Sequence, residues 1–376
     1  MRITFVMASG FSLTGGDRVI AGYAERLQQR GHEVLVVSPD PNQPTFKQQV
    51  KSILKGEGWL KKHHKQQNHF DRTMVPCKLL KERRPIVDSD VPDADVVVAT
   101  WWETAEWVAR LSPRKGAKTY FVQGYEVFDN LPKARVEATY SFPMYKITVS
   151  HWLRHLLQTR YGVRDICLIP NSVDRTLFQA PPRGKQDTPT VGVIYTYTHC
   201  KGTDISLKAF ELAAQRIPDL RLVVFGAKPT ADIPLPSKNV EYVYQPPQDL
   251  IPQLYAQCDA WLVGSREEGF GLPILEAMAC RTPVIACPAG AAPELLQPGG
   301  GMLLKSVNSE EMAQAIEQVC QMSAVEWQRM SDLAYATVAH YNWDHATDLF
   351  EAALQTSIEY SKQQLALTGQ THRKLC

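Results

Sequence analysis

The sequence has no apolar run of the roughly 18 residues that a membrane-crossing helix requires, so no integral membrane span is expected. Net charge is small, +2 at neutral pH, and nothing in its distribution marks a nucleic-acid binder. The eight cysteines, at 77, 167, 200, 258, 280, 287, 320 and 376, form no CxxC pair and no metal-ligand spacing. Reduced thiols and no bound metal are the expectation. Cys376 does not stand at the head of the usual four-residue prenylation signal, and no prenylation is expected. The opening Met1-Arg2-Ile3-Thr4-Phe5-Val6-Met7 has the pattern of a buried strand and lacks the longer apolar core of a secretory leader. A cytoplasmic protein is expected, with the inner face of the membrane left open as its place.

What is present is the composition of a globular α/β chain: 376 residues, 44% hydrophobic and 21% charged, long enough for two domains. Residues 3–8 read as a strand, a loop through Gly15-Gly16 leads to a helix ending near Arg30, and 34–38 read as the next strand. This is a βαβ unit on a parallel sheet. Strand patterns recur at 96–99, 119–122 and 147–149, then at 191–195, 222–226, 240–244 and 260–263. Gln179 to Pro189 is linker-like in composition.

The stretch from Ser265 to Cys280 organises the rest. It follows the short apolar run Asp259-Ala260-Trp261-Leu262-Val263, passes through Gly269 and Gly271, and continues as Leu272 to Ala279 at helical spacing. Pro273 suits the first helical turn, and the glycines let backbone approach a ligand closely. The amides near Gly271 and Leu272 and the positive end of the helix then make an anion site, for which a phosphate is the natural guest. Glu276, one turn into the helix, can accept hydrogen bonds from the vicinal hydroxyls of a ribose. Glu268, in the loop, lies nearer a group attached beyond the phosphates. A phosphate flanked by two such carboxylates describes a sugar nucleotide.

The run Glu268-Gly269-Phe270-Gly271-Leu272-Pro273-Ile274-Leu275-Glu276 resembles the Glu-x7-Glu motif of the family 4 nucleotide-sugar glycosyltransferases. That resemblance implies the GT-B fold: two Rossmann-like domains facing across a cleft, with a C-terminal helix crossing back to the first. Expected boundaries are 1–172 for an acceptor domain, 173–190 for a linker and 191–345 for a donor domain, with 346–376 as the returning helix and tail. It also implies a retaining, metal-independent transfer of a hexose from a nucleoside-diphosphate sugar to a glycan or lipid-linked acceptor in polysaccharide biosynthesis. UDP-glucose is the expected donor because it is common in the group. No cofactor is expected, the nucleotide sugar being a co-substrate. By the same resemblance Lys201, in Lys201-Gly202, contacts the donor diphosphate, and Glu268 and Lys201 are the catalytic candidates. The donor set is completed by Gly16, Thr196, Gln245, Phe270, Gly271, Leu272 and Glu276. Most members have an arginine where Thr196 stands and many a histidine where Gln123 stands. The chain departs from the family at both. A nucleotide-sugar isomerase or epimerase on this fold, or a silent nucleotide-binding subunit, therefore remains open.

Loops after the strands of the first half carry Trp102, Gln123 and Tyr125, the expected acceptor-binding residues. His151 reads as a helix-start residue. Asp88-Ser89-Asp90 and Asp93-Ala94-Asp95 resemble a DxD metal motif but precede a strand, the wrong end for a ligand on a parallel sheet, and read as a solvated loop. In 42–85, Phe46, Val50, Ile53 and Leu54 fall on one helical stripe. Lys47, Lys51, Lys55, Lys61, Lys62, Lys65 and Arg72 outweigh Glu57 and Asp71 there, beside Trp59 and Leu60. Such a flap suits an anionic membrane surface or a lipid-linked acceptor, and equally a solvated insertion.

Overall fold

The computed structural model describes residues 1–40, 46–56, 58, 67–229, 234–236 and 238–374. The chain divides into two compact units. The first comprises Met1–Val149, Arg154–Ile169 and Thr347–Cys376. Its sheet is built from β1 (Arg2–Val6), β2 (Glu33–Pro39), β3 (Cys77–Leu80), β4 (Val96–Ala99), β5 (Ala117–Val122), β6 (Tyr145–Thr148) and β7 (Ile166–Leu168), in the order β3-β2-β1-β4-β5-β6-β7. Every pairing is parallel. Central strands such as Val96–Ala99 are buried along their whole length, as parallel strands covered on both faces must be.

The helix Trp343–Lys374 belongs to this unit from Thr347 onward. Phe350 is fully buried, its ring 4.2 Å from Tyr23, 5.2 Å from Phe121 and 6.2 Å from Phe5. Arg30 reaches Asp348 at 2.7 Å and Glu351 at 3.1 Å, and the Ser357 and Thr119 hydroxyls share a buried hydrogen bond of 2.7 Å.

The second unit comprises Ser150–Leu153 and Pro170–Ala346. Its strands are β8 (Thr190–Tyr195), β9 (Arg221–Gly226), β10 (Val240–Tyr244), β11 (Ala260–Val263), β12 (Val284–Ala286) and β13 (Gly301–Leu303), all parallel in the order β10-β9-β8-β11-β12-β13. Both sheets run outward in opposite directions from their first strand. The reversal lies between β1 and β4 in one and between β8 and β11 in the other. Ligands of such sheets bind outside the carboxyl ends of the strands at that point, and the geometry there decides what the chain can hold.

Two expectations are corrected. The 173–190 stretch, expected as a linker, is packed into the second unit: Phe178 is buried, Arg183 lies over the Trp327 ring at 4.7 Å, and the Gln186 amide donates to Asp259 at 2.7 Å. The aspartates at 88–95 do not form a wholly solvated loop. Asp90 is 6% exposed and takes a two-pronged ion pair from Arg84, while Asp93 pairs with Arg114 and Lys115 and Asp95 with Arg2.

Of the 42–85 segment, Phe46–Leu54 is helical, with Val50, Ile53 and Leu54 turned to solvent at 38%, 51% and 82% exposure. Trp59, Leu60, Lys61, Lys62 and Lys65 of the expected flap, with the charge of Glu57, lie outside the described residues, as does the side chain of Lys47. Among the described residues no helix is long and apolar enough to cross a membrane.

Candidate functional site

At the reversal of the second sheet, two loops meet. One leaves β8 and turns through His199–Lys201 to Gly202, and the other leaves β11 at Gly264. They pass so closely that a Cβ on Gly202 would lie 1.8 Å from the Gly264 carbonyl oxygen, so neither position admits a side chain. The Arg266 amide donates to the Cys200 carbonyl at 2.8 Å, and the Arg266 guanidinium forks onto Asp204 at 2.8 and 2.6 Å. This crossing brings together residues 67 positions apart. The Lys201 ammonium lies 2.7 and 2.8 Å from the two Glu268 oxygens, and the Ser265 hydroxyl donates to the same carboxylate at 3.1 Å. The Glu268 side chain is 10% exposed and that of Lys201 44%.

The helix after β11 spans Leu272–Ala279, as its spacing predicts. Gly271 precedes it in a left-handed conformation, φ 99°, which a β-carbon would strain, and no side chain caps the helix start. The amides of Gly271 and Leu272 precede the first intrahelical bond, from Ile274 to the Gly271 carbonyl. They and the helix dipole favour an anion in front of them by roughly 0.3–2 kcal/mol per charge. Glu276 is 5% exposed, on the same helix, and accepts from the Tyr255 hydroxyl at 2.8 Å. Phe270 is buried against Tyr341, which fixes the loop's approach to the helix.

Farther along the same edge, Gln245 follows β10 with φ 43°, an uncommon conformation for a residue other than glycine. Its amide donates to the Gly226 carbonyl at 2.8 Å. Thr196, at the end of β8, turns its hydroxyl to that of Thr198 at 3.1 Å and gives its amide to the Thr203 hydroxyl. Position 196 itself thus carries a neutral side chain.

The expected residues of the first unit fare unevenly. Gly16, in the helix Gly15–Gln29, faces Gln123: a Cβ there would meet the Gln123 amide nitrogen at 3.6 Å. The Tyr125 hydroxyl bonds that of Tyr161 at 2.9 Å, and its ring lies under the Arg160 guanidinium. Trp102 is corrected as an acceptor platform. It is 4% exposed and covered by Arg135, whose guanidinium stands 5.2 Å from the ring and is paired with Glu106. Both His151, which begins the helix His151–Tyr161, and Glu294 belong to the second unit, and the His151 amide donates to Glu294.

Glu126 was missed, although it directly follows Tyr125. It is buried, accepts from the Trp102 amide at 2.7 Å and the Tyr120 hydroxyl at 3.2 Å, and its own amide donates to the Tyr140 hydroxyl. Burial pushes its carboxyl from an ordinary 4.5 up to about 8, against the lowering effect of those donors. The folded value exceeds the unfolded one, so the fold favours the neutral acid. That contribution is complete below the unfolded value and is lost as pH rises from 4.5 to about 8, where the unfolded chain has released a proton that the folded chain still holds. Glu126→Gln, neutral throughout, should therefore gain stability on the wild type by on the order of a few kcal/mol between pH 5 and pH 8 in chemical denaturation. Parallel pH profiles would contradict this.

Comparison with known proteins agrees with the geometry. Residues 13–177 match the family described as "Glycosyltransferase Family 4", and residues 174–336 that described as "Glycosyl transferases group 1". The D-inositol 3-phosphate glycosyltransferase of Mycobacterium leprae is 30% identical over 172 residues, 42% of this chain and 39% of that protein. Its Mycobacterium tuberculosis counterpart is 29% identical over 185 residues, 45% of this chain and 38% of that protein. The match thus spans about two-fifths of the length of these curated relatives. Anabaena HepE, solved in complex with UDP and glucose, superposes over 95% of this chain and 100% of its own with a TM-score of 0.72 at 18% identity. Sucrose-phosphate synthase from Thermosynechococcus elongatus covers 97% of this chain and 100% of its own with a TM-score of 0.68 at 16% identity. The fold is GT-B, and with its two halves matched in succession the chain belongs to the family 4 glycosyltransferases.

Proposed function

We propose that the protein is a retaining, metal-independent glycosyltransferase that moves a hexose from a nucleoside-diphosphate sugar to a glycan or lipid-linked acceptor. The observation that carries this reading is the Lys201–Glu268 pair set against the uncapped start of the helix Leu272–Ala279, at the reversal of the second sheet. As the glycosidic bond breaks, negative charge grows on the leaving diphosphate and positive charge on the sugar. Lys201 and the amides of Gly271 and Leu272 would stabilise the diphosphate through preorganised electrostatics. Glu268 would hold sugar hydroxyls and orient the ring, and Glu276, oriented by Tyr255, would hold the ribose. Gln245 would meet the base. Gly16 would serve the donor, and Gln123 and Tyr125 would serve the acceptor.

UDP-glucose is the first donor to assay, being the ligand of a HepE complex with this fold. Inositol phosphate, a substrate of the mycobacterial relatives by their name, joins glycans and lipid-linked sugars among the acceptors to test. Donor consumption and product formation should both require an acceptor. Acceptor-independent conversion of the donor to another nucleotide sugar would instead support an epimerase, and binding without turnover a silent subunit. A place in polysaccharide biosynthesis follows if a glycan is the acceptor that supports turnover.

The exposed Val50, Ile53 and Leu54, beside Lys51 and Lys55, support peripheral contact with an anionic membrane, from the cytoplasmic side. The protein should sediment with vesicles containing anionic lipid, and serine at those three apolar positions should reduce binding by about tenfold or more. Equal sedimentation of both proteins would retire this part of the proposal.

A further inference from the structure

Thr196, where the resemblance implies an arginine in most members, is a short neutral side chain turned to Thr198. We infer that Lys228 supplies the second cation for the donor diphosphate, at the phosphate nearer the nucleoside. This rests on the nucleotide-sugar reading above.

Strand order puts Lys228 in the right place. Tyr195 of β8 and Tyr244 of β10 both pair with Gly226 of β9, so the three chains leave the sheet level with one another. Along this edge Gln245 follows β10, Lys228 follows β9 and Lys201 follows β8. Lys228 thus stands between the residue assigned to the base and the one assigned to the diphosphate. Two residues past the paired positions, the Lys228 ammonium lies 5.4 Å from the centre of the Tyr197 ring, a cation–π contact at the doorstep of Thr196. Tyr197 is itself 54% exposed, so the pair faces solvent at the strand ends.

The charge of Lys228 is also available. Lys201 is held by Glu268 and Arg266 by Asp204, whereas among the described residues no carboxylate pairs with Lys228. Its backbone is fixed all the same: the Tyr242 hydroxyl donates to the Lys228 carbonyl at 2.6 Å, and Pro229 restricts residue 228 to extended conformations. An anchored backbone carrying a long, flexible ammonium suits a phosphate oxygen.

The test is titration of UDP and GDP into the wild type and the variants Lys228→Ala, Lys228→Arg and Lys201→Ala, with melting temperature as the control for folding. Lys228→Ala should weaken the nucleotide that binds by about tenfold, and Lys228→Arg should recover most of the loss because charge rather than shape is required. If Lys228→Ala binds as the wild type does while Lys201→Ala loses affinity, the inference fails and the donor reading stands. If neither nucleotide binds the wild type, both fail together.

Discussion

Glu268→Gln should lower sugar transfer by about a hundredfold while leaving nucleoside-diphosphate affinity intact or higher, whereas Lys201→Ala should lose affinity and turnover together. The asymmetry follows from the 2.7 and 2.8 Å contacts between the two side chains. On the proposed roles, a diphosphate would compete with Glu268 for Lys201, and removing the carboxylate charge would free the ammonium for the ligand. The same change would take from the sugar a charged acceptor for its hydroxyls, and such hydrogen bonds contribute about 1.5–3 kcal/mol each. Steady-state kinetics and UDP titration on both variants decide the matter. If Glu268→Gln weakens UDP as much as Lys201→Ala does, Glu268 belongs to the diphosphate site and its assignment to the sugar is wrong.

Phe350→Ala should be the most destabilising single truncation in the first unit. The ring is fully buried and touches the rings of Tyr23, Phe121 and Phe5, which come from a helix and two strands of the sheet. Removing a phenylalanine from such a site costs about 3–5 kcal/mol, part lost transfer energy and part cavity. For a unit of this size that lowers the melting temperature of its transition by about 6–20 °C. The peripheral ion pairs of Arg30 with Asp348 and Glu351 contribute far less, because the Asp348 side chain is 64% exposed. A calorimetric transition unmoved by Phe350→Ala would show that the terminal helix is not part of this core.

The sequence was most legible where local chemistry determines structure. Gly271 and Pro273 punctuate a strand and a helix unambiguously, and the helix runs over Leu272–Ala279 as its pattern indicates. Buried parallel strands such as Val96–Ala99 announce themselves as unbroken apolar runs. Edge strands do not. β3, Cys-Lys-Leu-Leu, is exposed at three of its four residues, so its pattern is that of a loop, and β7 is only three half-buried residues, too short for its pattern to stand out. Long-range pairings were invisible for a different reason. Neither the Lys201–Glu268 contact nor the Arg266–Asp204 fork has a local signature, since each depends on the β8 and β11 loops crossing at two glycines. Trp102 shows the remaining ambiguity: an aromatic residue after a strand can face a ligand or the core, and only the position of Arg135 reveals that it faces the core.

In the proposed complex a nucleoside diphosphate lies at the reversal between β8 and β11, its phosphates against the amides of Gly271 and Leu272 and against Lys201. A crystal soaked with UDP would show whether it does. Difference density should place the diphosphate within hydrogen-bonding distance of those amides, with the Lys201 ammonium drawn from Glu268 toward a phosphate oxygen and the ribose beside Glu276. Density for UDP anywhere else, with the Lys201–Glu268 pair undisturbed, would contradict the account.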